Sequence, residues 1–282
     1  MNTAISFHSF TAPAKLNLML KVVGKRDDGY HLLETIFRLI DLNDTIGVAV
    51  REDGEIRLHE PIPGIEPEQD LTVRAARLLK RTTQSPLGAD LHVRKRIPMG
   101  GGLGGGSSDA ATVLIALNRL WNTGLSREKL MELGLTLGAD VPFFVFGRNA
   151  FATGIGEQLS EMALPERWYV VVHPGVHVPT AKVFSSPLLT RHSSPGIMPI
   201  LETTQRFENE LQGVVCKMFP AVSEALDELK KFGSPLMTGS GSCVFLECGS
   251  ENEAKQVNRV VSKRFDSFVA KGLDCHPLID MI

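Results

Sequence analysis

Cysteine is scarce in this sequence. There are four, Cys216, Cys243, Cys248 and Cys275, widely scattered and with no C-x-x-C pair. That excludes a disulfide scaffold, argues against a zinc site, and predicts free thiols in a reducing compartment. Excess charge is absent too: 30 Lys and Arg against 32 Asp and Glu leave a net charge of −2, so no nucleic-acid partner is expected. No apolar run is long enough to span a membrane. Residues 1–13 lack a basic segment followed by a continuous apolar one, so no signal peptide is expected, and a cytoplasmic location is. Internal repeats are absent, and low complexity is confined to one glycine run. What remains is a chain of 282 residues, 43% hydrophobic and 22% charged, the composition of a globular protein with one large domain or two ordinary ones.

Hydrophobic periodicity organises the chain. Residues 14–23 alternate, with Leu16, Leu18, Leu20 and Val22 on one face and Lys15, Asn17, Met19 and Lys21 on the other. This predicts a half-buried strand. A turn at Asp28-Gly29 leads into an extended run over 34–42, and 45–50 with 55–58 read as a hairpin about Asp53-Gly54. Helices are predicted over 70–81 behind an Asp70 N-cap, from Ser107 and Ser108 onward, over 126–137 with Gly138 as the stop, and afresh at Asp140. Strands are expected over 91–97, 168–172 and 268–271, helices over 221–231 and 251–265, and a strand-turn-strand over 236–246. The sum is an α+β protein in two lobes, 1–160 and 161–282.

Six of the seven residues from Gly100 to Gly106 are glycine. Ordering them costs more backbone entropy than ordering any other residue, and close approach of a ligand to the backbone is the usual reason to keep them. The run ends at a helix N-terminus, where free N–H groups and the helix dipole favour an anion. Ser107 and Ser108 can add hydroxyls to a phosphate. A flexible linker is not expected to join an alternating strand directly to an apolar helix. The loop lacks the lysine of G-x-x-x-x-G-K-[ST]. Gly100, Gly102 and Gly105 match G-x-G-x-x-G, but the strand before them alternates as an antiparallel one does, and no acidic residue follows at the spacing a dinucleotide fold needs. The downstream motifs of protein kinases are missing.

The segment from Pro98 through Ser108 resembles the P-x-x-x-G-L-G-S-S-A-A phosphate loop of the galactokinase, homoserine kinase, mevalonate kinase and phosphomevalonate kinase superfamily. Pro13-Ala14-Lys15-Leu16-Asn17-Leu18 resembles its N-terminal motif and Thr238-Gly239-Ser240-Gly241-Ser242 its C-terminal glycine motif. With Asp28-Gly29-Tyr30-His31 and Leu137-Gly138-Ala139-Asp140-Val141-Pro142, the pattern resembles one branch over essentially the whole chain. Members of that branch use ATP to phosphorylate the 2-hydroxyl of 4-(CDP)-2-C-methyl-D-erythritol in non-mevalonate isoprenoid precursor biosynthesis.

The resemblance implies an N-terminal lobe like ribosomal protein S5 domain 2 and a C-terminal ferredoxin-like α/β plait. It implies ATP and Mg²⁺, the ATP held by Pro98, Met99, Gly100, Gly101, Gly102, Leu103, Gly104, Gly105, Gly106, Ser107 and Ser108, with no metal ligand assigned. Lys15 would stand by the transferring phosphoryl group and Asp140 would be the catalytic base. Asn17 would bind the acceptor, Tyr30 and His31 its cytosine, and Thr180 and Phe184 would complete that site. The implied partner is a small CDP-linked sugar alcohol, with no nucleic acid or membrane, on a monomer or weak homodimer. Asp109 departs from the superfamily loop, which often has Asn there. Its extra charge costs phosphate affinity unless it caps the helix or points away, and it is expected to be tolerated.

Blander readings stand beside these. Lys15 and Asn17 fit ordinary solvated alternation, Asp140 an N-cap, Tyr30 and His31 a surface turn, Thr180 a cap, Phe184 core, and Thr238–Ser242 a hairpin turn. A non-catalytic nucleotide-binding module is the other class of reading. The pair Lys15 and Asp140 favours an enzyme, with homoserine or mevalonate as alternative acceptors.

Overall fold

The computed structural model describes residues 5–189 and 207–281. Two long strands, β1 (His8–Lys25) and β2 (His31–Arg51), pair antiparallel from His8 opposite Val48 to Lys25 opposite His31. The turn between them places Gly29 at φ +91°, and the Tyr30 N–H donates to the Asp28 carboxylate at 3.1 Å. The expected half-buried strand is instead buried on both faces: Lys15, Asn17 and Met19 are each only 3% exposed. The cause is tertiary. Leu16 and Leu18 join a core cluster with Tyr169, Val171 and Phe245 of the second lobe, while Lys15 lies over the ring of Phe37 on the other face.

The hairpin expected over 45–58 does not form. Strand β3 (Ile56–His59) pairs parallel with β4 (Gly88–Arg94), which inserts between β3 and β2 and runs antiparallel to β2. Arg51 joins the two elements through Asp53 and through Asp90 on β4, the latter at 2.8 Å. Gly88 makes room at the crossing: a Cβ there would lie 2.1 Å from the Glu55 carbonyl oxygen.

Four helices cover this part of the sheet: α1 (Leu71–Thr83), α2 (Gly105–Leu120), α3 (Arg127–Leu137) and α4 (Val141–Phe146). The Asp70 carboxylate accepts the Thr72 N–H at 2.8 Å, so the predicted cap is in place, and Ser126 caps α3. Helix α2 is buried continuously over 108–118 and packs through Val113, Leu114 and Leu117 into a core shared with Leu79, Leu91 and Phe143. This anchors its glycine-rich end.

Hairpin β5 (Ala150–Thr153) and β6 (Gln158–Glu161) precedes β7 (Trp168–His173) and α5 (Thr180–Phe184). The remaining described elements are α6 (Gln212–Met218), α7 (Pro220–Lys230), β8 (Leu236–Met237), β9 (Val244–Cys248), α8 (Glu251–Val261) and β10 (Asp266–Leu273). Val170, Val172 and Val244 from the strands meet Leu226 and Val257 from the helices in a second core. Gly272 and Leu273 of β10 pair with Ile40 and Leu39 of β2, so one sheet runs β3-β4-β2-β10-β7-β9-β8 through both lobes. At that junction the fully buried Arg38 guanidinium has no hydrogen-bond partner and lies against Gly272, where a Cβ would sit 2.2 Å from Nη2. All four cysteines are free, Cys243 and Cys248 buried and Cys216 and Cys275 half-buried. Among the described residues no helix is long and apolar enough to cross a membrane.

Candidate active site

The glycine run leaves β4 and curls over the start of α2. Helix α2 begins at Gly105 rather than at the serines. Its first backbone bond joins the Ser108 N–H to the Gly104 carbonyl at 2.9 Å, so the N–H groups of Gly105, Gly106 and Ser107 precede the helical ladder, at the positive end of the dipole. Gly100, Gly102 and Gly104 have φ between +67° and +76°, the left-handed region that glycine enters freely. Packing of the protein against the loop is itself a reason for glycine here. A Cβ on Gly100 would meet His177 Nδ1 at 1.9 Å, on Gly101 Cys243 Sγ at 2.5 Å, on Gly102 the Thr238 carbonyl at 2.4 Å, and on Gly104 the Phe144 ring at 2.9 Å. Protein from the second lobe and α4 occupies that side of the loop. The opposite side opens on a cavity of about 410 Å³ lined by Ile62, Lys95, Pro98, Met99, the glycines, Ser107 and Asp109. Ser108 stands apart: it is fully buried, and its hydroxyl has no hydrogen-bond partner.

A second cavity, about 360 Å³, adjoins the loop and is lined by Lys15, Asn17, Asp140, Gly104, Ser107 and Gly239 among others. Lys15 Nζ donates to Asn17 Oδ1 at 2.6 Å and stands 3.5 Å from Asp140 Oδ2. Asn17 Nδ2 donates to Thr35 Oγ1 at 2.8 Å, and the Asn17 N–H donates to Thr238 Oγ1 at 2.9 Å. This face of β1 is therefore wired rather than solvated. Asp140 heads α4, yet its carboxylate makes no capping bond. Asp140 thus sits at the N-cap position without capping through its side chain, and the carboxylate, one-third exposed, faces the cavity and Lys15.

A third cavity of about 550 Å³ is lined by Tyr30, His31, Leu33, Ile155, Thr180 and Phe184. Leu33, Ala139, Ile155, Thr180 and Phe184 line the second and third cavities alike. Tyr30 is 59% exposed. The His31 and Phe184 rings are 5.0 Å apart, tilted by 31°, and Thr180 Oγ1 is 2.8 Å from Ser240 Oγ. The candidate loop, catalytic and acceptor residues, Ser108 excepted, thus line three cavities that share lining residues in sequence: the glycine loop, the charged pair, then an aromatic and hydroxyl-bearing cleft.

Models of two families match the chain, "GHMP kinases N terminal domain" over residues 70–148 and "GHMP kinases C terminal" over 187–267. The 4-diphosphocytidyl-2-C-methyl-D-erythritol kinase of Chromobacterium violaceum is 64% identical, over 97% of this chain and 98% of its own length. That of Neisseria meningitidis serogroup B is 51% identical over the whole of both. The chain belongs to the 4-diphosphocytidyl-2-C-methyl-D-erythritol kinase family of GHMP kinases. A crystal structure of a 4-(cytidine 5'-diphospho)-2C-methyl-D-erythritol kinase superposes with a TM-score of 0.82 at 35% identity, over 94% of this chain and 99% of the other. The mevalonate kinase of Methanococcus jannaschii shares the fold, with a TM-score of 0.69 at 15% identity over 96% and 100%. The chain therefore has the two-domain α+β architecture of GHMP kinases.

In this GHMP kinase several supporting residues carry no sequence signal. Asn209 Nδ2 donates to the Met237 and Gly239 carbonyls at 2.7 and 2.8 Å, bracing the second glycine turn. Thr35 accepts from Asn17 and donates to the Met19 carbonyl at 2.6 Å; a threonine in a strand is too ordinary to stand out. Asp109 neither caps α2 nor points out of the first cavity. Its Oδ2 accepts from Lys95 Nζ at 2.7 Å, and Lys95 also donates to Asp44 at 2.5 Å. Burial pushes the Asp109 carboxyl up to about 7, even with Lys95 beside it. Burial also works against the Lys95 ammonium, but Asp109 and Asp44 outweigh it and hold its pKa above the ordinary value.

Proposed function

We propose that this chain transfers the γ-phosphoryl group of ATP to the 2-hydroxyl of 4-diphosphocytidyl-2-C-methyl-D-erythritol, a step of non-mevalonate isoprenoid precursor biosynthesis. The observation that carries this reading is the order of the groove in a chain 64% identical to a kinase of that name. ATP would place its phosphates against the loop from Pro98 to Ser107, and the three N–H groups at the start of α2 fit an anion there. Lys15 supplies positive charge where charge develops on the phosphoryl oxygens. Asp140 orients the acceptor hydroxyl and takes its proton. In a loose phosphoryl-transfer transition state orientation contributes more than early deprotonation. Asn17, locked by Thr35 and Thr238, holds the acceptor, Thr180 and Phe184 close over it, and Tyr30 and His31 read cytosine.

Mg²⁺ bound with ATP would neutralise phosphate charge. Among the described residues no three His, Cys, Asp or Glu side chains gather to hold a metal. We read residues 1–160 as the S5 domain 2-like lobe and 161–282 as the ferredoxin-like lobe, a reading supported by the antiparallel β10-β7-β9-β8 order. A cytoplasmic monomer or weak homodimer accords with it.

The test compares kcat/KM for CDP-linked and UDP-linked acceptors in wild type, Tyr30→Ala and His31→Ala. Stacking supplies about 1–3 kcal/mol per base without telling bases apart, so Tyr30→Ala raises KM for the acceptor generally. Polar groups left unmatched by the wrong base cost about 1–3 kcal/mol, so His31→Ala narrows the gap between the two acceptors. Equal use of both by wild type refutes cytosine recognition and favours another acceptor of the superfamily.

A further inference from the structure

We propose that Asp109 is a proton-linked positioning residue of the nucleotide site, neutral when phosphates occupy the loop and ionised only in the free site at higher pH. The inference rests on the ATP reading above. Its geometric basis is an unequal pair of buried carboxylates on one ammonium. Lys95 Nζ bridges Asp44 Oδ2 at 2.5 Å and Asp109 Oδ2 at 2.7 Å. Asp44 Oδ1 accepts two further donors, the Arg96 and Ile97 N–H groups, at 2.5 and 2.8 Å. Asp109 Oδ1 is buried with no partner. An ionised carboxylate needs donors on both oxygens when water is excluded. Asp44 has them and Asp109 does not, so a proton shared by this cluster settles on Asp109.

The place of Asp109 makes that proton matter. It is the fifth residue of α2, just past the free N–H groups of Gly105, Gly106 and Ser107, and lines the same 410 Å³ cavity as the loop. The charged groups facing it are Lys95, from the segment after β4, and Asp44 of β2. The one other titratable side chain among the described residues lining the cavity is Asp70 of the α1 cap, engaged by the Thr72 N–H. Arg94 and Arg96 are exposed. A triphosphate arriving at the loop adds negative charge beside a cluster that already holds one ammonium against two carboxylates. Protonating Asp109 removes the surplus while its other oxygen keeps Lys95 in place. By linkage, nucleotide binding then draws a proton from solvent, and affinity falls as pH rises through the range where the free site ionises. The raised pKa of the buried carboxyl agrees.

The experiment is calorimetric titration of a non-hydrolysable ATP analogue into wild type and Asp109→Asn, at several pH values and in two buffers of different ionisation enthalpy. Asn keeps the shape and fixes the neutral state, and the nucleotide's own titration cancels between the two proteins. Wild type is expected to take up a fraction of a proton more than Asp109→Asn. The variant should bind as tightly as wild type at pH 6 and roughly three- to tenfold more tightly at pH 8.5. Equal proton uptake and equal pH slopes overturn the inference while leaving the ATP site intact. Failure of wild type to bind the analogue overturns both. Should Asp109→Asn not fold, infrared difference spectra of wild type decide: a protonated-carboxyl band must grow when the analogue is added, and its absence overturns the proposal.

Discussion

Replacing Lys15 by Met separates catalysis from stability. The ammonium has three neighbours: Asn17 Oδ1 at 2.6 Å, Asp140 Oδ2 at 3.5 Å and the Phe37 ring at 5.4 Å. At 3.5 Å a pair of unit charges interacts by about 1 kcal/mol in water and about 5 kcal/mol at the effective dielectric of a protein surface. Lys15 is buried and Asp140 one-third exposed, so the working value lies between. Charge developing on a phosphoryl oxygen beside the same ammonium gains a comparable amount. Losing a preorganised charge of this kind costs roughly 10²- to 10³-fold in kcat. Stability should respond in the opposite sense or hardly at all, because exchanging a desolvated charge for an apolar chain of similar length is often neutral or stabilising. Asn17 Oδ1 keeps its weaker contact to Thr238 at 3.4 Å, and Asp140 is one-third exposed and stays open to solvent. The assay measures ADP release for kcat and KM, with thermal unfolding alongside. Asp140→Asn should lower kcat similarly, and the double variant should be little slower than the slower single one, since the two groups act as a unit. A folded Lys15→Met with kcat within about threefold of wild type refutes the assignment. A raised KM for ATP at unchanged kcat would make Lys15 a binding residue instead.

Two further outcomes concern the frame of the site. Gly272→Ala puts a methyl 2.2–2.6 Å from three atoms of the buried Arg38 guanidinium; overpacking costs about 1–3 kcal/mol, so the urea midpoint should fall, and an unchanged midpoint would mean the junction yields freely. Fully buried His276, whose Nδ1 accepts the Leu278 N–H at 3.0 Å, is pushed by burial down to about 4 from an ordinary 6.5. The unfolded chain binds that proton first, so the contribution is complete above pH 6.5 and is lost as pH falls towards 4, by about 3 kcal/mol in all. Denaturant midpoints between pH 7 and 4.5 should therefore fall less steeply in His276→Asn; identical slopes would exclude His276 as a source of acid sensitivity.

Local signals in the sequence carry much of this molecule. Asp70 and Ser126 start α1 and α3 where they are expected, because a cap is settled by residues a few positions apart. The Leu236–Leu246 hairpin and the α7 and α8 helices are equally local. Periodicity fails where the lobes meet. Lys15 and Asn17 alternate as a solvated face would, and it takes Phe37, Thr35 and Asp140 together with Thr238 of the second lobe to turn that face into an interior. The turn at Asp53-Gly54 looks like a hairpin because nothing nearby announces that β4, some thirty residues on, will take the place beside β2. The glycine run stands out in the sequence, but the task the structure gives it, admitting His177, Cys243 and Thr238, depends on residues more than seventy positions away.

The second edge of β2 is filled in instalments. Strand β4 covers Thr45–Arg51, β5 covers Thr35–Phe37, and β10 covers the gap at Leu39 and Ile40. In order of synthesis β4 emerges first, β5 next, and β10 last of the three. A nascent chain therefore keeps a short unpaired stretch at the centre of its longest strand, next to the unpartnered Arg38, until β10 has been made. Such late closure by distant segments slows folding and leaves an edge open to wrong partners. A chain cut short before β10 would carry a complete glycine loop on a sheet that cannot close.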